Sequence, residues 1–203
     1  MKLIKDIIKM ILSFLWIPLL LWIFREDLLA LIERDPELHT VYLWCIEQIK
    51  HKNAMGCFLL QYIGNLVIIS FLPRHITFMY YYLNSELTPF VLITVSALAM
   101  FGAMLANYIF GFLFGFLFKI ISKESFLRLK GLLDKYGTWI VLLGYFVPIG
   151  FPIGFLSVIS GTSSFKLWKF LLVTVIGCVI YFTILFLLGN YLKGFINEAN
   201  IFQ

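Results

Sequence analysis

The stretch Pro148-Ile149-Gly150-Phe151-Pro152-Ile153-Gly154 interrupts an apolar segment that runs from Thr138 to Ser160. Proline removes a backbone hydrogen-bond donor and glycine loosens the backbone, so two prolines and two glycines in seven residues cannot continue a regular helix. No Asp, Glu, Lys or Arg occurs between Tyr136 and Phe165, and this run exceeds the roughly 20 residues that cross hydrocarbon as a helix. The sequence therefore predicts a segment that enters a membrane and breaks there, as a re-entrant hairpin does.

A second break of the same kind comes earlier in the chain. Three positions recur at a spacing of 75 residues: Pro73, Phe90 and Gly102 match Pro148, Phe165 and Gly177. In both copies a charged amphipathic stretch is followed by a proline-broken apolar run and then by a long apolar helix. Membrane transport folds are commonly duplicated in this way. We therefore predict an inverted repeat, in which a re-entrant hairpin followed by a long transmembrane helix occurs twice.

The composition supports an all-α polytopic membrane protein. Hydrophobic residues make up 62% of the chain and charged residues 13%, whereas roughly a quarter of the residues of a soluble domain are charged. The formal charge of +5 comes from Lys and Arg beside apolar segments, which favours contact with lipid headgroups over binding to nucleic acid. The three cysteines form neither a zinc pattern nor a disulfide framework, so we expect no metal and no cofactor.

The predicted first half of the membrane domain, residues 25–121, follows an N-terminal transmembrane signal anchor at residues 1–24. Arg25 to Lys52 combines an apolar helical face with a charged one, which is typical of an interfacial helix lying along the membrane. Residues 57–72 would extend only about 24 Å as a helix, short of the ~30 Å hydrocarbon core. They therefore predict the first re-entrant hairpin, and a long helix should follow from about Phe90 to Ile121.

The predicted second half, residues 122–203, repeats this plan. It opens with a basic loop that also carries the apolar pattern of a surface helix, and the basic residues there are Lys119, Lys123, Arg128, Lys130 and Lys135. Such a cluster marks a cytoplasmic loop. The second hairpin then enters from the cytoplasm, the first from the opposite side, and the last helix should run from Phe165 to about Phe195.

The order of these motifs resembles the DedA family, also called the VTT or SNARE-associated membrane domain, and within it the short YqaA-like branch. Two blocks carry most of the resemblance, namely Gly102-Ala103-Met104-Leu105-Ala106-Asn107-Tyr108-Ile109-Phe110-Gly111 and Tyr136-Gly137 followed by Phe146-Val147-Pro148-Ile149-Gly150. Ser160-Gly161, Phe165 and Gly177 complete it, over residues 55–192. The resemblance implies a multi-pass protein of the bacterial inner membrane, with an inverted repeat, that moves lipids between leaflets. Phosphatidylethanolamine and the undecaprenyl phosphate carrier are the lipids that it implies.

The chain also departs from the family pattern. Many members place an acidic residue just after the first hairpin proline, where this chain has Arg74 and His75. Many carry arginines in the second hairpin, where this chain has Tyr145 and Phe151. These departures argue against proton coupling through a buried carboxylate.

Arg74 and His75 are the charged or titratable residues of the first predicted hairpin. An ionisable group inside a membrane points to function, because leaving it unpaired in hydrocarbon costs roughly 2.5 kcal/mol or more. At mid-depth, Arg74 would clamp a phosphate through two hydrogen bonds and His75 would exchange a proton near neutral pH. If residues 57–72 instead cross fully, both side chains anchor at the far interface. Glu86 either pairs with Arg74 as a coupling acid or is an interfacial acid near the start of a helix.

Asn107 belongs to a stripe of small residues at four-residue steps, which comprises Ala99, Ala103, Asn107, Gly111 and Gly115. Such a stripe lets helix backbones approach closely. Helix packing alone explains the stripe, but the amide of Asn107 must find a partner in the interior. The family places Asp or Asn at the equivalent position, and this resemblance implies that Asn107 lines a substrate path.

The second break offers backbone groups rather than charges. Pro148, Gly150 and Pro152 leave amides and carbonyls exposed, and amides at the end of a half-helix hold anionic groups. The same residues would also make a simple turn. Tyr145 offers one hydrogen bond but no charge.

The leading hypothesis is a translocator or scramblase of membrane lipids, with a phospholipid or polyprenyl phosphate headgroup as its ligand and no nucleic-acid partner. The alternative is a non-transporting envelope-assembly or interaction protein that keeps the fold. An enzyme is not expected, because the apolar segments contain no His-x-x-x-His, paired Asp or Ser-His set. The sequence leaves homo-oligomerisation open.

Overall fold

The computed structural model describes residues 23–66, 74–121, 123–146, 153–163 and 165–198. Within these ranges the chain forms eight α-helices: α1 (Arg25–Arg34), α2 (Pro36–Lys50), α3 (Ala54–Asn65), α4 (Arg74–Asn84), α5 (Pro89–Ile121), α6 (Lys123–Phe146), α7 (Ile153–Thr162) and α8 (Leu167–Glu198). The described residues contain no strand. The predicted signal anchor lies outside these residues.

The predicted interfacial helix over residues 25–52 is two helices, because the chain turns at Asp35. The Asp35 carboxylate accepts hydrogen bonds from the backbone amides of Glu37 (3.0 Å) and Leu38 (3.2 Å), and Pro36 occupies the first turn of α2. An aspartate before a proline is a strong helix start, since the carboxylate caps free amides and proline needs no donor there. The amphipathic pattern continues across this turn and so conceals it.

The two predicted long helices are confirmed, and their ends lie within three residues of the predicted ones. Helix α5 begins at Pro89 and ends at Ile121, and α8 covers Leu167–Glu198. Within the described residues, two spans are long and apolar enough to cross a membrane, Pro89–Phe114 with a mean hydropathy of 2.1 and Leu167–Tyr191 with 2.8. Their outward faces stay apolar, since Phe112 is 70% exposed and Leu187 59% exposed. An extensive apolar surface of this kind suits lipid rather than water.

The basic surface helix and the first arm of the second predicted hairpin form one continuous helix. Helix α6 runs from Lys123 to Phe146 without interruption, so the expectation of a separate loop and surface helix is corrected. The basic start of α6 continues directly into its apolar end, because no proline separates the two parts. The next helix, α7, begins at Ile153. The predicted break at Pro148, Gly150 and Pro152 falls between α6 and α7, and these residues lie outside the described part of the chain.

The order of the helices repeats. In chain order each half has a helix, a shorter helix and then a long helix: α3, α4 and α5 in the first half, and α6, α7 and α8 in the second. The halves interlock, because α4 packs against α8 and α7 packs against α5. One of these contacts joins the rings of Phe78 and Phe182, whose centroids are 5.2 Å apart.

Small residues allow the close approach of α5 and α7. A Cβ atom at Gly111 would meet the backbone carbonyl of Val158, and a Cβ atom at Gly161 would meet the carbonyl of Tyr108. Ala99 and Ala103 on the same stripe of α5 are fully buried. The stripe therefore packs helices, as the packing interpretation predicts.

The repeated glycines of the two long helices face tyrosine rings. A Cβ atom at Gly102 on α5 would lie 3.2 Å from the Tyr62 ring on α3, and one at Gly177 on α8 would overlap the Tyr145 ring on α6. In each half, the first of the three helices thus places an aromatic ring against the glycine of its own long helix. This packing gives a physical reason for the recurrence of Gly102 as Gly177.

Candidate functional site

A chain of amide hydrogen bonds crosses the interior between α3, α4 and α5. The Asn107 amide donates to the backbone carbonyl of Asn65 (3.0 Å). The Asn65 amide donates to the carbonyl of Gln61 (2.6 Å), and the Gln61 amide donates to the backbone carbonyl of Arg74 (3.2 Å). The three amide side chains are at most 6% exposed. Asn107 thus has the interior partner that its position requires, and it joins the same polar cluster as Arg74.

Arg74 is the first residue of α4, and its side chain is half-buried. The guanidinium carbon lies 4.6 Å from the centroid of the Tyr181 ring on α8, which is a cation–π contact. The charge of Arg74 also acts on Tyr145 and on Cys178. Arg74 therefore connects the short helix of the first half to α6 and α8 of the second half.

Three buried hydroxyl groups lie on the α6 and α8 side of Arg74 without a hydrogen-bond partner in the described part of the chain. They belong to Tyr145, Thr174 and Tyr181, which are 0%, 0% and 5% exposed. The Tyr145 hydroxyl lies within side-chain hydrogen-bonding reach of Thr174 and Cys178, but neither contact has the regular geometry of a hydrogen bond. A buried hydroxyl without a partner costs about 1–3 kcal/mol, so three in one place call for a physical reason.

The arrangement is suited to holding an acceptor with several oxygen atoms. A guanidinium group has donors only, and each hydroxyl has one donor to offer. Among the described residues, no carboxylate forms an ion pair with Arg74. A phosphate group would accept hydrogen bonds from all of these groups at once and would neutralise the cation.

Two predicted residues do not belong to this cluster. His75 and Glu86 are exposed, and the structure does not bring Glu86 to Arg74. Glu86 lies three residues before the start of α5 at Pro89, where the interfacial interpretation places it. The predicted backbone site at Pro148, Gly150 and Pro152 lies outside the described residues.

Sequence reasoning missed five members of the cluster, namely Gln61, Asn65, Thr174, Cys178 and Tyr181. A signal for them was present in the periodicity. Gln61 and Asn65 are four residues apart on the apolar helix α3, and Thr174, Cys178 and Tyr181 follow steps of four and three on α8. Such spacings place side chains on one face of a helix, and polar groups on one face of an apolar helix mark its interior side. Within the described residues, no group of three or more His, Cys, Asp or Glu is placed to hold a metal ion.

The fold and the site together define a helical membrane protein with an apolar surface and a polar interior cluster. The family model of the VTT domain matches residues 76–191, which is more than half of the chain and includes α5, α6, α7 and most of α8. The chain therefore belongs to the DedA family of membrane proteins, and the resemblance seen in the sequence is confirmed. Comparisons with curated proteins and with solved structures give no significant match. The family match concerns the domain as a whole, so membership of the YqaA-like branch stays a prediction.

Proposed function

We propose that the protein is a multi-pass translocator of phosphate-bearing lipids in the bacterial inner membrane. In this account it performs no covalent chemistry and moves the headgroup of a phospholipid or a polyprenyl phosphate between leaflets. The observation that carries the proposal is the contact of Arg74 with Tyr181, whose buried hydroxyl, like those of Tyr145 and Thr174, has no hydrogen bond of regular geometry within the described residues.

The physical task of such a protein is to replace water around the headgroup. A charged group in hydrocarbon costs several kcal/mol unless polar groups surround it. Arg74 offers a planar pair of donors that matches phosphate, and the Tyr181 ring holds the guanidinium by a cation–π contact. Tyr145 and Thr174 add hydroxyl donors from the opposite half of the fold.

The interlocked halves support a path through the membrane. The short helices α4 and α7 each pack against the long helix of the other half, an arrangement expected of two re-entrant hairpins that enter from opposite leaflets. Under this proposal α4 serves the path from one leaflet and α7 the path from the other. The polar cluster around Arg74, Asn65 and Asn107 links α4 to α3 and α5.

The site favours passive scrambling over proton-driven transport. The nearest candidate acid, Glu86, is exposed and does not pair with Arg74, so the described part of the chain offers no carboxylate to carry a coupled proton beside the headgroup. Lipid exchange should therefore proceed in both directions and without a pH gradient.

The test is leaflet exchange in proteoliposomes. Vesicles of phosphatidylcholine would contain either a fluorescent phosphatidylethanolamine or a fluorescent polyprenyl phosphate, and a membrane-impermeant quencher would report the outer-leaflet fraction. We expect protein-dependent exchange of at least one lipid, with the same rate at equal and unequal pH across the membrane. Absence of exchange by folded protein would reject translocation and favour the alternative, an envelope-assembly protein that keeps the fold.

A further inference from the structure

A second polar feature lies at the start of α8, away from the contact of Arg74 with Tyr181. The middle of α6 and the start of α8 border an open cavity of about 420 Å³. Its polar and aromatic lining consists of Asp134, Lys135, Tyr136, Thr138, Trp139, Phe165, Lys166 and Lys169. Along α8, Thr174 is five residues and Tyr181 twelve residues beyond Lys169, a rise of about 8 Å and about 18 Å. The lining of the cavity shares no residue with the cluster around Arg74.

The charge of the cavity is positive. Three lysines, Lys135, Lys166 and Lys169, line it together with one carboxylate, that of Asp134. No ion pair within the described residues neutralises these lysines. Lys135 lies over the ring of Tyr136, 5.0 Å from its centroid, which brings its ammonium group against the cavity wall. Three exposed cations, one on α6 and two at or just before the start of α8, therefore line one opening.

The first turn of α8 adds to this positive field. The first amides of a helix lack intrahelical acceptors and lie at the positive end of the helix dipole. The Phe170 amide donates to the backbone carbonyl of Lys166 (3.1 Å). The backbone amides that precede Phe170 are therefore those of the first turn of α8. Lys166 and Lys169 flank the same turn, and both line the cavity.

Exposed tryptophans beside the cavity indicate a position at the edge of the membrane. Trp139 is 65% exposed and Trp168 is 60% exposed, and the apolar span of α8 begins at Leu167. Tryptophan side chains with one apolar and one polar part collect at the level of lipid headgroups. A basic opening at this depth, between two helices, has the chemistry of a site for an anionic headgroup.

From these observations we propose that the cavity between α6 and α8 holds the phosphate of an anionic membrane lipid, bound by Lys135, Lys166 and Lys169. The shared chemistry of its ligand is a phosphate oxygen, and the source that we assign is a lipid of the bilayer rather than a free phosphate ion. The apolar part of the exposed Trp139 side chain at the cavity would contact the acyl chains. This lipid stays bound at the interface and is not the lipid that the Arg74 cluster moves.

Native mass spectrometry of the full-length protein in detergent tests the proposal. Phosphatidylglycerol and phosphatidylcholine would be added in equal amounts, with inorganic phosphate in separate samples. We expect at least tenfold preferential retention of phosphatidylglycerol, which Lys135→Gln, Lys166→Gln and Lys169→Gln together should reduce to near parity. Inorganic phosphate at millimolar concentration should not displace the lipid.

A matched variant separates the site from overall charge. Lys50→Gln, Lys52→Gln and Lys193→Gln together remove the same charge at exposed or half-buried positions outside the cavity, and this variant should retain phosphatidylglycerol as the native protein does. Equal loss in both triple variants, no preference for phosphatidylglycerol, or displacement by inorganic phosphate would each overturn the proposal. Leaflet exchange should persist in the cavity variant, so the outcome is independent of the proposed translocation.

Discussion

The guanidinium group of Arg74 lies over the ring of Tyr181, with 4.6 Å between the guanidinium carbon and the ring centroid. This contact joins α4 to α8, across 107 residues of sequence. The charge of Arg74 also acts on Tyr145, whose hydroxyl, like that of Thr174, has no hydrogen bond of regular geometry within the described residues. A cation and buried hydroxyl donors without partners lower the stability of the folded protein unless a ligand pairs with them. Such a loss of stability in exchange for function is typical of binding sites.

Removal of an unpaired hydroxyl should therefore stabilise the protein and weaken transport. We expect Tyr145→Phe to raise the free energy of unfolding by about 1 kcal/mol, because the substitution removes a buried hydroxyl that has no well-formed hydrogen bond. Lipid exchange should fall, since the headgroup loses one donor. Thermal unfolding in detergent and leaflet exchange in vesicles measure the two effects.

Tyr108→Phe is the matched control. The Tyr108 hydroxyl donates to the backbone carbonyl of Phe165 (2.9 Å), so its removal should lower stability by about 1 kcal/mol. The two substitutions delete the same atom and should shift the unfolding temperature in opposite directions. Shifts of the same sign would show that the hydroxyl of Tyr145 is satisfied in the folded protein.

The amide of Asn107 should be needed for the stability of the fold as well as for the proposed path of the lipid headgroup. Asn107→Leu removes the donor to the Asn65 carbonyl and leaves that carbonyl unsatisfied in an apolar interior. We expect a loss of roughly 1–3 kcal/mol in the free energy of unfolding. Asn84→Leu, which removes an exposed amide that bonds its own helix, should change stability little, and an equal loss in both would contradict the importance of the buried amide chain.

The crossing of α5 and α7 should not tolerate a side chain at Gly111. At Gly111 a Cβ atom would meet the Val158 carbonyl, and backbone atoms on both sides cannot yield without separating the helices. Gly111→Ala should therefore cost about 1–3 kcal/mol. At Gly131 a Cβ atom meets nothing within 4 Å, so Gly131→Ala should gain about 1 kcal/mol from helix propensity. Thermal unfolding of the two alanine variants decides this, and similar destabilisation in both would argue against the close crossing.

Local signals in the sequence predicted some elements well and others poorly. The bounds of α5 and α8 follow from long charge-free runs, with Pro89 marking the start of α5. The turn at Asp35 was missed although its capping residues are local, because amphipathic periodicity continues through it. The contact of Arg74 with Tyr181 was beyond sequence reasoning, since an arginine beside a proline does not indicate which distant helix supplies the ring.

The central claim is that Arg74 binds the headgroup of a translocated lipid, and leaflet exchange by Arg74 variants tests it most directly. Arg74→Ala should reduce the exchange of fluorescent polyprenyl phosphate at least tenfold. Arg74→Lys should retain part of it, because lysine keeps the charge but not the planar pair of donors. Arg34→Ala removes an exposed arginine of α1 and should leave exchange unchanged. Native exchange rates in folded Arg74→Ala would contradict the account.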